Sequence, residues 1–152
     1  MAKLHHLQSK LKALRLGGMT DTLETRLDQA QKDKLGYLQF LELMLEDEIE
    51  RRSQRSLASR IGKARFQEVK TLQDFDFSFN PKIPAAKIRD LATCHFLDAG
   101  ESVIVCGPVG TGKSHVVQAL GYCACATGHS VLYTQTSRLL SDLGGGRADG
   151  TW

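Results

Sequence analysis

No run in this 152-residue chain approaches the roughly eighteen consecutive apolar residues that a membrane-spanning helix requires. The first residues, MAKLHHLQSKLK, mix Lys and His throughout and lack the apolar centre of a secretory leader, so the cytoplasm is the expected compartment. The four cysteines, Cys94, Cys106, Cys123 and Cys125, contain no C-x-x-C pair. That spacing argues against a closed zinc site and against a disulfide framework, and buried free thiols are the expected reading. Residues 36–50 carry five acidic residues and no basic one. The next twenty residues reverse this, with Arg51, Arg52, Arg55, Arg60, Lys63, Arg65 and Lys70 against Glu68 alone.

What is present begins with helix. Leu4, Leu7, Leu11 and Leu14 recur at helical spacing and form one stripe. Gly17 and Gly18 are expected to end that helix, because glycine accepts the left-handed terminal conformation. Asp21 followed by Glu24 resembles a capping box and predicts a second helix with Leu23, Leu27 and Ala30 inward. The run YLQFLELMLEDEIERR places Leu38, Leu41, Leu45 and Ile49 on one face and acids on the other. A basic helix or helix-turn over about 52–69 completes an all-helical module, expected to span 1–70.

The pattern changes after Lys70. Phe75, Phe77 and Phe79 alternate with polar residues, which predicts either strand spacing or an extended linker with aromatic anchors. Pro81 and Pro84 break the chain, and PAAKIRDLATCHFL reads as a short helix. SVIVCG reads as a buried strand, followed by a helix from Gly112 to about Thr127 that Gly128 stops. SVLYTQ reads as a second strand, and SRLLSDL opens another helix leading into Gly144–Gly146. Strand, helix, strand, helix predicts an α/β core over 71–152.

One stretch carries chemistry. Gly107-Pro108-Val109-Gly110-Thr111-Gly112-Lys113-Ser114 satisfies G-x-x-x-x-G-K-[ST] between a β-rich run and an amphipathic helix. Glycines let successive backbone N–H groups turn inward around phosphate oxygens, and the loop feeds a helix N-terminus, which favours an anion. Lys113 is suited to the β- and γ-phosphates, and the Ser114 hydroxyl to Mg²⁺. Hydrolysis needs a further acidic group that holds Mg²⁺ and a group that orients water. No apolar strand ending in Asp occurs in 116–152, since Asp142 lies in a helical pattern and Asp149 in RADG.

GPVGTGKSH, GHSVLYTQTSRLLSDL and GGGRADGTW together resemble the IstB-type ATP-binding helper proteins of bacterial insertion sequences, relatives of the DnaC-like helicase loaders among AAA+ ATPases. LGYLQFLELMLEDEIERR and FDFSFNPKIP resemble the same family, so the resemblance covers essentially the whole chain. It implies an α/β P-loop NTPase core of AAA+ type, here cut after two strands and preceded by the helical module. It further implies ATP and Mg²⁺ as cofactors, and duplex DNA, a transposase and other copies of the chain as partners. The helical module is expected to contribute to the DNA or partner contacts. The phosphate-loop roles carry over to Gly107 through Ser114, and the backbone N–H of His115 is placed to join them. Full-length members continue into the acidic strand, a sensor residue and an arginine finger. The chain is therefore expected to be an N-terminal portion in which hydrolysis is lost.

The basic segment has two readings, a solvated helix face or a stripe that contacts DNA phosphates through Arg51, Arg52, Arg55, Arg60, Lys63 and Arg65. No aromatic residue interleaves Arg51 through Arg65, which favours duplex backbone contact over stacking on single strands. A helicase loader and a P-loop kinase are the alternative functions. A kinase fits less well, because about a hundred residues precede the loop and a kinase P-loop usually lies near the N-terminus.

Overall fold

The computed structural model describes residues 2–79 and 83–149; Pro81, read as a break, and the closing RADGTW's last three residues lie outside them. Seven helices form among the described residues: α1 Ala2–Ala13, α2 Gly17–Lys32, α3 Tyr37–Ala64, α4 Ala85–Leu91, α5 His95–Asp98, α6 Lys113–Ala126 and α7 Thr136–Asp149. The chain divides into two compact units, Met1–Ser56 and Leu57–Trp152. Among the described residues no helix is long and apolar enough to cross a membrane.

In the N-terminal unit the buried cluster is Met19, Leu23 and Met44, with Leu4, Leu11, Leu16, Leu27 and Phe40 packed on it. The leucine stripe of α1 is thus split, since Leu7 and Leu14 are exposed. On α3 the face that carries Leu38, Leu41, Leu45 and Ile49 is also exposed, and the helix buries the neighbouring face through Met44 and Glu48. Acidic and basic runs, read as separate helices, belong to one helix of 28 residues.

The glycine pair does not end α1. Arg15 takes the left-handed conformation (φ 59°), and the N–H of Leu16 reaches back to the Leu11 carbonyl at 2.9 Å, which is the hydrogen-bond pattern of a Schellman ending. Gly17 and Gly18 instead begin α2, and Asp21 lies inside that helix rather than capping it. Gly18 is required by proximity. A Cβ there would lie 2.5 Å from the Asp47 carbonyl oxygen and 2.7 Å from the Glu48 Cα, both backbone atoms of α3. At this crossing the Gly18 N–H donates to Glu48 Oε2 at 2.7 Å, and Arg52 Nε donates to Glu48 Oε1 at 2.7 Å. Arg26 grips Asp47 with two parallel bonds of 2.7 and 2.9 Å.

The C-terminal unit corrects the expected fold class. No strand forms among the described residues, and the unit is not an α/β sheet core. The reason is that a strand exists only with a hydrogen-bonded neighbour. Residues 102–107 form no main-chain hydrogen bond among the described residues, and Ile104 is 85% exposed. In 130–135 the one main-chain bond from a peptide N–H among the described residues is that of Tyr133 to the Ala64 carbonyl, at 2.8 Å. Both segments line an open cleft of about 560 Å³ instead of pairing.

The core of this unit is Ile88 of α4 with Val116 and Leu120 of α6. Phe75 and Phe77 pack against it, edge to face at 4.8 Å, while Phe79 is exposed. The 71–79 segment is therefore a turn-rich linker with aromatic anchors, neither a strand nor the extended linker expected. The helix expected over PAAKIRDLATCHFL is broken into α4 and α5 at Cys94, whose φ is 63°. Helix α7 runs through Gly144 and Gly145. Cys94 and Cys125 are buried, Cys123 is half-buried, and Cys106 is exposed, contrary to its expected burial.

Gly18→Ala should destabilise the fold by about 1–3 kcal/mol, because backbone atoms rather than a flexible side chain block the methyl group. Gly62→Ala, in the exposed interior of α3 with nothing within 4 Å, should stabilise by about 0.5–1 kcal/mol. Urea melts of the two variants check this pair, and equal effects would refute the close-approach role of Gly18. A second expectation concerns acid. The bond from Arg52, then those from the Gly18 and Met19 N–H groups, hold the Glu48 carboxyl below its ordinary range despite the opposing effect of burial. Arg26 likewise holds Asp47 down. Their stabilisation is complete above the ordinary carboxylate range and is lost as pH falls through the depressed folded values. Glu48→Gln should lower the melting temperature at pH 7 and shrink the further loss on going to pH 3. An undiminished acid loss would remove Glu48 from that account.

Candidate phosphate-binding site

The glycine-rich loop lies at the N-terminus of α6, where the motif's spacing predicts it. Gly112 is the N-cap at φ 80°, and Lys113 and Ser114 are the first two helical residues. No side chain caps that first turn, so its N–H groups are available as donors to an anion. Gly107 through Gly110 are exposed, Thr111 through Lys113 are half-buried, and the Ser114 side chain is exposed.

The loop folds on itself. Lys113 Nζ donates to the Pro108 carbonyl at 2.5 Å, and Thr111 Oγ1 donates to the same oxygen at 3.0 Å. The ammonium thus sits within the turn that an anion would share. Beside it runs a cleft of about 600 Å³, whose apolar wall includes Ile88, Leu91 and Phe96 and whose polar end holds Thr111 and Lys113. Pockets of this size with apolar walls and a few convergent polar groups suit small ligands.

The hydroxyl of the exposed Ser114, beside the loop, makes no hydrogen bond among the described residues. Among the described residues no group of three His, Cys, Asp or Glu side chains could hold a metal ion. Among the described residues, the contribution to a Mg²⁺ ion at this place would be one hydroxyl oxygen, a donor set that fits an ion bound mainly by phosphate oxygens and water.

Sequence reasoning missed what fixes the loop's base. A Cβ on Gly112 would lie 2.6 Å from the Phe75 ring, so the anchor of the linker packs directly on the glycine that precedes α6. The same ring meets His115 edge-on at 5.2 Å, and His115 Nε2 lies 3.0 Å from the Thr71 carbonyl oxygen. Alternation of phenylalanines was the visible signal, but it does not name the partner of each ring.

The six basic residues of the helical segment fare differently. Arg51 pairs with Asp21, and Arg52 with Glu48. Arg60 Nε donates to the Cys125 carbonyl at 2.7 Å. Arg55, Lys63 and Arg65 are exposed and make no ion pair or hydrogen bond among the described residues.

Comparison with known proteins agrees with the loop chemistry. The family model of the IstB-like ATP binding protein matches residues 9–152. The chain is 51% identical over 146 residues to Rv3427c of Mycobacterium tuberculosis, a protein named for ATP binding in an insertion sequence; the match covers 96% of this chain and 58% of that relative. It is 40% identical over 140 residues to the IS21 ATP-binding protein of Pseudomonas aeruginosa, covering 92% and 53%. A third such protein, y4pL of Sinorhizobium fredii, is 31% identical over 148 residues, covering 97% and 60%. The chain thus spans little more than half the length of these curated relatives.

Gly112→Ala should cost about 1–3 kcal/mol through its left-handed backbone alone, and more through the ring it meets. Phe75→Ala should relieve only the second part, so the double variant should lose less than the sum of the two single losses. Additive losses in thermal melts would show that the ring and the glycine do not constrain each other.

Proposed function

The chain belongs to the family of IstB-like ATP binding proteins, and from that premise we propose that it binds ATP with Mg²⁺ as a helper of insertion-sequence transposition. The observation that carries this is the Gly107–Ser114 loop set on the uncapped first turn of α6, with Lys113 in its first helical position. In this reading the triphosphate takes the place of the Pro108 carbonyl as the partner of Lys113. Backbone N–H groups from Gly110 to His115 surround the phosphate oxygens, and Ser114 gives one oxygen to Mg²⁺. ATP rather than another nucleotide is supported by the names of the relatives, because the loop itself reads phosphates and not the base.

Action together with duplex DNA, a transposase and further copies of the chain belongs to the same proposal. Its support is the insertion-sequence setting in the relatives' names and the exposed Arg55, Lys63 and Arg65, which have no ion pair among the described residues. Arg51, Arg52 and Arg60 contribute less in this reading, since each already holds an acceptor within its own unit. The 1–70 segment supplies DNA or partner contacts and 71–152 the nucleotide site.

Calorimetric titration of the chain with Mg-ATP, beside Lys113→Ala, tests the nucleotide site. The unaltered chain should bind saturably, and the variant should bind at least about tenfold more weakly, because a charge-assisted phosphate contact is lost. Equal affinities would remove Lys113 from the site.

A further inference from the structure

Away from the loop, the C-terminal unit holds a second cationic pocket. Arg65, just beyond the end of α3, and Arg138 of α7 line one concavity of about 130 Å³ with Gln67, Thr134, Gln135 and Asp142. Neither guanidinium makes an ion pair or hydrogen bond among the described residues, and Asp142 pairs with neither of them. We propose that this pocket holds one phosphodiester group of a DNA backbone, with Arg65 and Arg138 as its donors; this rests on the DNA part of the function proposed above.

Three features select that occupant. Guanidinium groups present their N–H donors in a planar fork that matches phosphate oxygens, and two arginines with no ion pair among the described residues line this one pocket. Among the neutral neighbours, Gln67, Gln135 and Thr134 belong to the residue types that contact DNA phosphates, while Leu132, Tyr133 and Leu139 form the rest of the wall. The volume lies well below the roughly 300–1,000 Å³ of pockets that enclose whole small ligands, so a phosphate fits where a nucleotide does not. Asp142 reduces the local charge to a single net positive. A free phosphate is therefore held weakly, and occupancy depends on a polymer that brings several phosphates to the protein at once.

The test is fluorescence anisotropy of a short labelled duplex with the full chain over a range of salt concentrations. Arg65→Ala with Arg138→Ala should weaken binding by roughly tenfold. It should also reduce the slope of log affinity against log salt by about 0.9, the value for one neutralised phosphate. Asp142→Asn, which removes the opposing charge, should tighten binding. Mg-ATP titration of the double variant should match that of the unaltered chain. An unaltered affinity and slope in the double variant, with duplex binding by the unaltered chain intact, overturns this inference alone. Loss of ATP binding together with DNA binding overturns it too, because the arginines would then support the fold or the nucleotide site. Displacement of the duplex by inorganic phosphate at constant ionic strength would mark a free-anion site instead. No duplex binding by the unaltered chain at low salt overturns the DNA reading and this inference with it.

Discussion

The placement of the glycine-rich loop depends on how α6 is seated. From Gly107 to Gly110 the loop is exposed and buries nothing that could hold it. Ordering each of its residues costs about 1–2 kcal/mol in backbone entropy. The opposing contribution comes from the other side of the helix, where Val116 and Leu120 close on Ile88 and the anchors Phe75 and Phe77. Burial of one such side chain contributes about 1.5–3 kcal/mol. The loop's last glycine meets Phe75 directly, so the same ring that seals the core also sets where the helix begins. The phosphate recognition proposed for the start of α6 thus rests on apolar packing that lies beside the motif and not within it.

A comparable dependence governs the N-terminal unit, with a carboxylate in place of an aromatic ring. Glu48 is 6% exposed, yet its two oxygens accept from the start of α2 and from Arg52. A buried charge is tolerated when it is paired and hydrogen-bonded, and an unsatisfied helix N-terminus is a suitable donor. The arrangement requires α2 and α3 to touch backbone to backbone, which only a glycine at position 18 permits. Charge and closeness therefore support each other here. Asp47 and Arg26 repeat the bond beside it. The acidic stretch of α3 is in this part a set of acceptors for α2 and not only a solvated surface.

These two cases explain what could be read from the chain and what could not. Helices α1, α2 and α3 were visible because helical periodicity is a local property, and α6 was visible from its motif and from Gly128. The loop was visible for the same reason, since phosphate chemistry demands particular residue types at particular spacings within eight positions. The two expected strands failed because β structure is relational: an apolar run reveals a buried or bridging segment but does not say whether a partner lies beside it. Gly17 and Gly18 were misread because glycine serves both helix endings and close approaches, and only the position of Asp47 and Glu48 distinguishes them. Counting basic residues likewise could not show that Arg51, Arg52 and Arg60 already have acceptors. Arg138, one charge in an ordinary amphipathic stretch, gave no local signal that it shares a pocket with Arg65.

The two anion sites proposed for the C-terminal unit recognise phosphate by different physics. At the α6 loop the donors are mostly peptide N–H groups held in place by the fold, with Lys113 as one point charge. Such a site loses little in salt, because its donors are dipoles at contact distance. At the Arg65–Arg138 pocket the donors are exposed side chains of full charge, opposed by Asp142. Attraction there is screened as salt rises, and release of counterions from the polymer adds to the same trend. Ionic strength therefore acts on one ligand far more than on the other. In the proposed function, a chain built this way would keep its nucleotide while its hold on DNA is adjusted by salt.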